Sequence, residues 1–234
     1  MQRQTIIICA LLFFGINLLA QYEDYINMDN GSFTDDRDGQ EYNWVKIGKQ
    51  IWMAENLNIG TRIYIAEGKD ADIQIERYCY HNDEEFCWIY GGLYPVSTIE
   101  RSTPEEKAKS LCPEGWHLPD ENEWQVLIDF LGGPGVAGVA LKEAGINHWR
   151  KNNAGTTNSS GFTALPGGYC TYDNEETQYL KIGKECRFWS STDKFYLILF
   201  RTDFVTVRLV RKNNRVVTER DMDRSAHSIR CIKD

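Results

Sequence analysis

Cysteines constrain this chain more strongly than any other feature of its sequence. Seven are present, and one of them, Cys9, lies in an apolar N-terminal stretch. The remaining six form an even set. An even set of cysteines in an exported chain indicates disulfides that tie distant segments together, so the meaning of the six depends on whether the chain is exported.

The N-terminus has the parts of a secretory signal peptide. Arg3 precedes an apolar run over residues 6–15, and Ala20 is followed by a polar, acidic stretch. A charged start, a short hydrophobic segment and a small residue before the cleavage point are typical of such signals. A membrane anchor is disfavoured because about 20 apolar residues are needed to cross a bilayer, and Gly15 and Asn17 interrupt this run. We predict cleavage after Ala20.

We therefore divide the chain into a signal peptide over residues 1–20, a linker over 21–33 and one domain over 34–234. No later segment has the length and apolarity of a transmembrane span, so none is expected after signal removal. The charge balance of 26 Lys+Arg against 34 Asp+Glu, a net −8, excludes a generic basic nucleic-acid binder. The predicted location is the periplasm or the cell surface.

Six cysteines allow 15 pairings, and their spacing alone does not fix the connectivity. Two pairs each flank a short polar stretch, and local pairing of both would leave the last two to join the middle of the chain to its final segment. The expected disulfides are Cys79–Cys87, Cys170–Cys186 and Cys112–Cys231. Zinc is the alternative, but the chain has no Cys-x-x-Cys and its four histidines lack ligand spacing. We predict no metal and no other cofactor.

Local patterns place strands at both ends of the chain and helices in its middle. Residues 31–58 read as a strand meander, and residues 195–210 and 228–232 as later strands. Capping boxes open helices at Thr103 and Asp120, and a third, shorter helix is predicted over 136–144. Residues 147–185 are rich in Asn, Thr, Ser and Gly and read as long loops. This arrangement predicts an α+β fold.

Several segments together resemble the Fibrobacter succinogenes major paralogous domain family, which occurs in exported proteins of Fibrobacter and Bacteroidetes-type bacteria. They are Asp38-Gly39, residues 47–57 (IGKQIWMAENL), 78–83 (YCYHND), 90–94 (YGGLY), 112–119 (CPEGWHLP) with Glu123-Trp124, 160–169 (SGFTALPGGY), 188–192 (FWSST) and 228–231 (SIRC). They run in order over nearly the whole predicted mature chain. The family has no established activity, so the resemblance implies a fold and not a reaction.

The implied fold is C-type-lectin-like, with small antiparallel sheets, two to three short helices and long loops. In that fold a cysteine of the first helix bonds the closing strand, in agreement with the Cys112–Cys231 pairing. The sugar-binding members carry Glu-Pro-Asn or Gln-Pro-Asp and Trp-Asn-Asp motifs, and this chain has neither. Calcium-dependent lectin activity is therefore not implied.

The candidate binding residues are aromatic or basic and lie in the segment that lectin-like folds use for ligands: Trp149, Arg150, Tyr169 and Tyr172. Exposed aromatic faces stack on sugars and anchor protein partners, whereas buried ones hold loops in place. Both interpretations stand for these residues. Glu55 and Asn56 follow an apolar strand, where polar groups commonly hydrogen-bond nearby backbone.

Metal and catalytic alternatives are weaker. Asp35, Asp36 and Asp38 before Gly39 have the oxygens that calcium prefers, but a hairpin turn accounts for the same residues. The leading hypothesis is an exported binding or structural module of the cell envelope, not an enzyme, whose partner is a glycan or an envelope protein. The alternatives are a polysaccharide-active enzyme, which needs two carboxylates about 5 to 10 Å apart across a groove, and an adhesin or surface-structure subunit.

Overall fold

The structure is a computed structural model that describes residues 29–63, 75–100, 111–151, 153, 155–173, 176–196, 201–221 and 224–234. The predicted signal peptide, with Cys9, lies outside these residues. Most of the predicted linker also lies outside them, as do residues 103–110, which carry the capping box of the first predicted helix.

Short strands dominate the described part of the chain. They are β1 (Asn30–Thr34), β2 (Glu41–Ile47), β3 (Gln50–Met53), β4 (Thr61–Arg62), β5 (Glu76–Arg77), β6 (Tyr94–Pro95), β7 (Trp116–His117), β8 (Tyr169–Tyr172), β9 (Thr177–Leu180), β10 (Glu185–Tyr196), β11 (Arg201–Val210), β12 (Val216–Asp221), β13 (Ser225–His227) and β14 (Ile232–Lys233). The helices are α1 (Glu84–Tyr90), α2 (Val96–Glu100), α3 (Glu121–Phe130) and α4 (Gly138–Leu141). The prediction of an α+β chain of small sheets and short helices is confirmed.

Three antiparallel sheets organise these strands, in the orders β1-β2-β3-β14-β7, β10-β11-β12 and β6-β13-β8-β9, and β4 and β5 form a short parallel pair. The last strand, β14, lies inside the first sheet, where Ile232 is opposite both Trp52 and His117. β1 already belongs to this sheet, so the final residues of the predicted linker pair with β2.

The helix α3 forms as its sequence predicts. The Asp120 carboxylate accepts a hydrogen bond from the Glu123 N–H at 2.8 Å, and the Glu123 carboxylate accepts one from the Asp120 N–H at 2.9 Å. This reciprocal capping box satisfies two N–H groups that the first turn leaves unpaired. Trp124, Leu127 and Ile128 then face the core on one side of the helix.

Aromatic side chains fill the space between α3 and the sheets. The Trp124 ring centroid lies 4.7 Å from that of Trp52 on β3 and 5.5 Å from that of Phe188 on β10. Phe162, from the loop between α4 and β8, packs against both Trp52 and Phe188. The loop-rich middle of the chain is thus anchored in the main core.

Two of the three predicted disulfides are present. Cys112 and Cys231 are joined over a sequence separation of 119, and Cys79 and Cys87 over a separation of 8. The long-range bond links Cys112, which precedes β7, to Cys231, the residue just before β14. Both cysteines lie in a core cluster with Trp189.

The predicted Cys170–Cys186 disulfide is wrong, because both cysteines are free and buried in the structure. Cys170 lies on β8 opposite Tyr179, whereas Cys186 lies on β10 opposite Leu209. The two residues therefore pack into different core clusters. Burial raises the pKa of both thiols, that of Cys186 to about 12, so each behaves as a small apolar side chain.

The predicted long loop over residues 147–185 and the predicted closing strand over 228–232 also need correction. The loop region contains the β8–β9 hairpin. The closing segment forms two short strands, β13 and β14, in different sheets, because the chain crosses from one sheet to the other between His227 and Ile232. The predicted helix over 136–144 shortens to α4, since Lys142 already has extended backbone angles.

A histidine joins α3 to the end of the five-stranded sheet. His117 Nε2 lies 2.9 Å from a Glu123 oxygen, and Nδ1 lies 2.6 Å from an Asp234 oxygen. The hydrogen bond with Glu123, followed by that with Asp234, raises the pKa of His117 against the opposing effect of burial. A protonated His117 therefore stabilises the contact between these two elements.

Removing the two disulfides will have unequal effects on stability. On the chain-entropy account, a loop as long as that closed by Cys112 and Cys231 contributes about 4 to 5 kcal/mol, and the short Cys79–Cys87 loop about 2 to 3 kcal/mol. We expect the double alanine variant of the first pair to lose more unfolding free energy in urea than that of the second. Equal losses would contradict this account of the fold.

The stabilising contribution of His117 will depend on pH. Its pKa in the folded state is above its ordinary value of 6.5. The contribution is therefore fully present below pH 6.5 and is lost as the pH rises through the folded-state value. In urea unfolding between pH 5.5 and 9, the stability difference between the wild type and His117→Gln should shrink as the pH rises. A difference that stays constant would refute this assignment.

Candidate functional site

A cleft of about 270 Å³ opens beside the end of β3. Three regions of the chain and the Arg230 side chain line it. Its lining comprises Gln40, Glu41, Ala54, Glu55, Asn56 and Asn58 from the first sheet and its following loop, Cys87, Trp88, Ile89, Tyr90 and Gly91 from α1, Glu143, His148, Thr163 and Leu165 from the loop after α4, and Arg230. We call it the Asn56 cleft.

The guanidinium of Arg230 forms the base of the Asn56 cleft and is only 1% exposed. Its Nε and Nη2 donate to the Asn56 side-chain oxygen at 3.0 and 2.6 Å. Nη1 donates to the carbonyls of Met53, at 3.1 Å, and Phe162, and Nη2 also reaches the Thr163 carbonyl at 3.5 Å. Burial lowers the pKa of Arg230 to about 9, and no carboxylate hydrogen-bonds to it among the described residues.

The Asn56 side chain connects Arg230 to α1 through hydrogen bonds to both. While its oxygen accepts from Arg230, its amide nitrogen donates to the Tyr90 carbonyl at 2.7 Å. Gly91 caps the helix with φ 77°, and a Cβ at this position would lie 2.5 Å from the Asn56 Cβ. Only glycine therefore permits the close approach of α1 to the end of β3.

The helix α1 is held at its N-terminus and at its middle. Asp83 caps its N-terminus by accepting a hydrogen bond from the Glu85 N–H at 3.0 Å. Cys87, in the middle of the helix, is bonded to Cys79. The next residue, Trp88, is 72% exposed and lines the cleft. A large aromatic side chain is thus displayed to solvent on a covalently anchored helix.

On the side formed by the loop after α4, Thr163 holds a strained conformation. Its φ is 54°, in a region that β-branched residues rarely occupy. Asn158 compensates, because its side chain accepts from the Thr163 N–H and donates to the Thr163 hydroxyl, both at 2.9 Å. Strain retained in this way is common at binding sites.

Two acceptor oxygens in the lining lack donors. The Asn58 side-chain oxygen and one Glu143 oxygen, Oε2, are buried and accept no hydrogen bond from the described residues. Asn58 as a whole is 7% exposed. The other Glu143 oxygen lies 2.7 Å from His148 Nδ1, and the His148 ring packs edge-on against Tyr90. Buried acceptors of this kind fit a ligand that supplies hydrogen-bond donors.

Comparison with known proteins identifies the family. The sequence model of one protein family, the Fibrobacter succinogenes major domain, matches residues 45–233. The chain belongs to this family. Comparisons with curated proteins and with solved structures gave no match.

The resemblance of the sequence to the Fibrobacter succinogenes major domain family is therefore confirmed. Its C-type-lectin-like fold stays a prediction. Segments that carry the family resemblance also meet at the Asn56 cleft, which draws Asn56, Tyr90, Thr163 and Arg230 from four of them. In the described part of this family member, no helix has both the length and the apolar character needed to cross a membrane.

The structure does not gather the predicted binding residues around one cavity. Trp149 is fully buried and donates its indole N–H to the Ala164 carbonyl at 3.0 Å, so its prediction as a ligand contact is wrong. Its burial follows from packing into the main core, where it holds the long loop in place. Arg150 is exposed, and its backbone N–H donates to the Gly183 carbonyl. It does not line the Asn56 cleft.

The two candidate tyrosines on β8 are half-buried and have partners of their own. The Arg187 guanidinium lies 4.0 Å from the Tyr169 ring centroid, and Tyr172 stacks on Tyr78 at 5.5 Å. Tyr172 also lines a second, more open concavity of about 380 Å³, which includes Asp173 and Arg224. Neither tyrosine reaches the Asn56 cleft.

Asp35, one of the residues considered for calcium binding, is engaged by an arginine. Arg37 donates to both Asp35 oxygens, at distances of 2.7 to 3.2 Å. Burial acts to raise the Asp35 pKa, but hydrogen bonds from Arg37 outweigh it and hold the pKa below its ordinary value. Glu84 approaches Cys79 and Cys87, but the disulfide occupies both sulfurs. The turn interpretation accounts for Asp35.

Sequence reasoning missed Trp88 and Arg230. The residues between Cys79 and Cys87 read as a polar loop, although Asp83 followed by two glutamates was a helix-start signal. A lone arginine between Ile229 and Cys231 in an apolar segment was the signal for a buried cation. The expectation that Glu55 binds nearby backbone is confirmed, since it accepts from the Asn43 N–H at 2.7 Å.

Arg230→Lys will destabilise the protein. The lysine ammonium has three donors and cannot cover the amide oxygen and three carbonyls that the guanidinium reaches. Because these acceptors are buried, we expect a loss of about 2 to 4 kcal/mol of unfolding free energy. Urea unfolding measures this loss, and Arg150→Lys, at an exposed site, should change stability by less than about 0.5 kcal/mol. Equal stabilities of the two variants would contradict the role given to Arg230.

Proposed function

We propose that this protein is an exported binding module that holds a glycan in the Asn56 cleft. The observation that carries the proposal is the pairing of exposed Trp88 with the buried, unpartnered oxygen of Asn58 in one lining. A sugar ring offers an apolar face for the indole and hydroxyl donors for the oxygen. Both features of the cleft are then explained by one type of ligand.

The base of the cleft and the helix at its edge are held in place before a ligand binds. The base is a network of hydrogen bonds around Arg230, and the Cys79–Cys87 disulfide anchors the helix that presents Trp88. A site whose side chains are already positioned loses less conformational entropy when a ligand binds. This favours recognition of a weakly interacting, flexible ligand such as an oligosaccharide.

We favour binding over catalysis because the cleft carboxylates have structural partners. Both oxygens of Glu55 accept from Asn43, at 2.7 and 3.1 Å, and one oxygen of Glu143 faces His148. Glycoside hydrolysis needs an acid and a base that can both reach the substrate across the groove. Incubation of cellotetraose with the protein should leave it intact, and a cleavage product would replace this proposal with the enzymatic alternative.

Export to the periplasm or cell surface is part of the proposal. The predicted signal peptide and the two disulfides support it, since disulfides persist in oxidising compartments. The bond from Cys112 to Cys231 and the helix α3 also support a lectin-like architecture. Because Arg37 neutralises Asp35, we propose binding that does not require calcium.

Trp88→Ala will abolish most glycan binding by residues 21–234. Loss of one stacking aromatic contact removes about 1.4 kcal/mol, which corresponds to about tenfold weaker affinity. A glycan array, followed by calorimetry on the glycans that bind, measures the change with calcium and with EDTA. We expect the same affinities under both conditions.

Phe130→Ala is the matched control for the Trp88 variant. Phe130 is also a large, partly exposed aromatic residue, 46% exposed, but it lies on α3 outside the lining of the cleft. Its substitution should leave glycan binding unchanged. If Trp88→Ala binds as the wild type does, or Phe130→Ala loses binding equally, the Asn56 cleft is not the binding site.

A further inference from the structure

We propose that the Asn56 cleft selects sugars that present hydrogen-bond donors, either hydroxyl or ammonium groups, and rejects sugars that carry a carboxylate. This inference rests on the proposed glycan binding and adds the charge class of the ligand. It follows from which donors and acceptors of the lining remain available.

The buried cation of the cleft has no donor left for an anionic ligand. A guanidinium has five N–H groups. In Arg230 they form hydrogen bonds with the Asn56 side chain and with the carbonyls of Met53, Phe162 and Thr163. A carboxylate that entered the cleft would gain no direct hydrogen bond from Arg230 without breaking this network.

The other basic group in the lining is already next to a carboxylate. His148 Nδ1 lies 2.7 Å from a Glu143 oxygen, so a ligand carboxylate would compete with Glu143 for this nitrogen. Arg230 and His148 are the basic residues among the described lining of the cleft. Neither provides a free cationic anchor for a uronic or sialic acid.

Negative charge predominates among the remaining side chains. Three carboxylates line the cleft, from Glu41, Glu55 and Glu143. Ser32 donates to Glu41, and Asn43 donates to Glu55, but these neutral donors leave the negative charges in place. Like charges at short range repel, so an acidic sugar pays an electrostatic cost here that a neutral one does not.

The unpartnered oxygens specify what a suitable ligand must offer. Asn58 Oδ1 and Glu143 Oε2 both accept hydrogen bonds and are buried in the lining. A carboxylate placed against them would bring acceptors together without a proton. A hydroxyl satisfies either oxygen, and an ammonium group forms a stronger, charge-assisted hydrogen bond with Glu143.

Three tetrasaccharides of similar size distinguish these cases: cellotetraose, the fully deacetylated glucosamine tetramer and tetragalacturonate. Calorimetry with residues 21–234 should give the highest affinity for the glucosamine tetramer. Cellotetraose should bind with intermediate affinity. Tetragalacturonate should bind at least about tenfold more weakly than cellotetraose, a difference that corresponds to about 1.4 kcal/mol.

Glu143→Gln tests the part of the inference that depends on this carboxylate. The variant keeps the size of the side chain and an acceptor oxygen but removes one of the three carboxylate charges, so the preference for the glucosamine tetramer over cellotetraose should weaken several-fold. Glu114→Gln is the matched control, because Glu114 is exposed and outside the lining. It should keep the order of the three affinities.

The outcomes separate the two proposals. If none of the three sugars binds in a way that Trp88→Ala abolishes, the proposed glycan binding fails and this inference fails with it. If binding depends on Trp88 but tetragalacturonate binds as tightly as cellotetraose, glycan binding stands and the charge selectivity is wrong. An unchanged glucosamine preference in Glu143→Gln would also overturn the assigned role of Glu143.

Discussion

The buried guanidinium of Arg230 is the interaction on which the arrangement around the cleft depends. Removing a charge from water is costly unless its hydrogen bonds are replaced. Here the replacement comes from the Asn56 side chain and from carbonyls in two distant segments, at Met53 and around Phe162. Each acceptor must stay in place for the cation to remain buried. The Arg230 side chain therefore links the end of β3, the loop before β8 and the closing segment, in addition to the pairing of β14 with β3.

Each of the two disulfides includes a cysteine next to a residue that lines the Asn56 cleft. Cys231, the neighbour of Arg230, is bonded to Cys112, which fixes the closing segment in the core. Cys87, the neighbour of Trp88, is bonded to Cys79, which fixes the helix at the edge of the cleft. One disulfide stabilises the base and the other positions the exposed aromatic residue. Functional residues are commonly carried on segments that a rigid scaffold positions.

Local signals predicted the elements whose stability is local. The capping box of Asp120 and Glu123 and the apolar spacing after it define α3, because both act within a few residues. The same is true of the alternating residues of β2 and of the short Cys79–Cys87 loop. The β8–β9 hairpin was missed, and its strand β8 also pairs with β13, which lies more than 50 residues away and leaves no local pattern. Composition alone made that region resemble a loop.

The sequence by itself determined the family, the α+β class and the start of α3, and it predicted the pairing of Cys112 with Cys231 without fixing it. Only the tertiary structure decided that Cys170 and Cys186 lie in separate clusters, that Trp149 is buried and that Trp88 is exposed. The physical reason is that burial depends on which distant segments pack around a residue. An aromatic side chain has the same local pattern whether a loop covers it or leaves it open. The cleft likewise exists only where Asn56, Tyr90, Thr163 and Arg230 meet, and no spacing along the chain encodes that meeting.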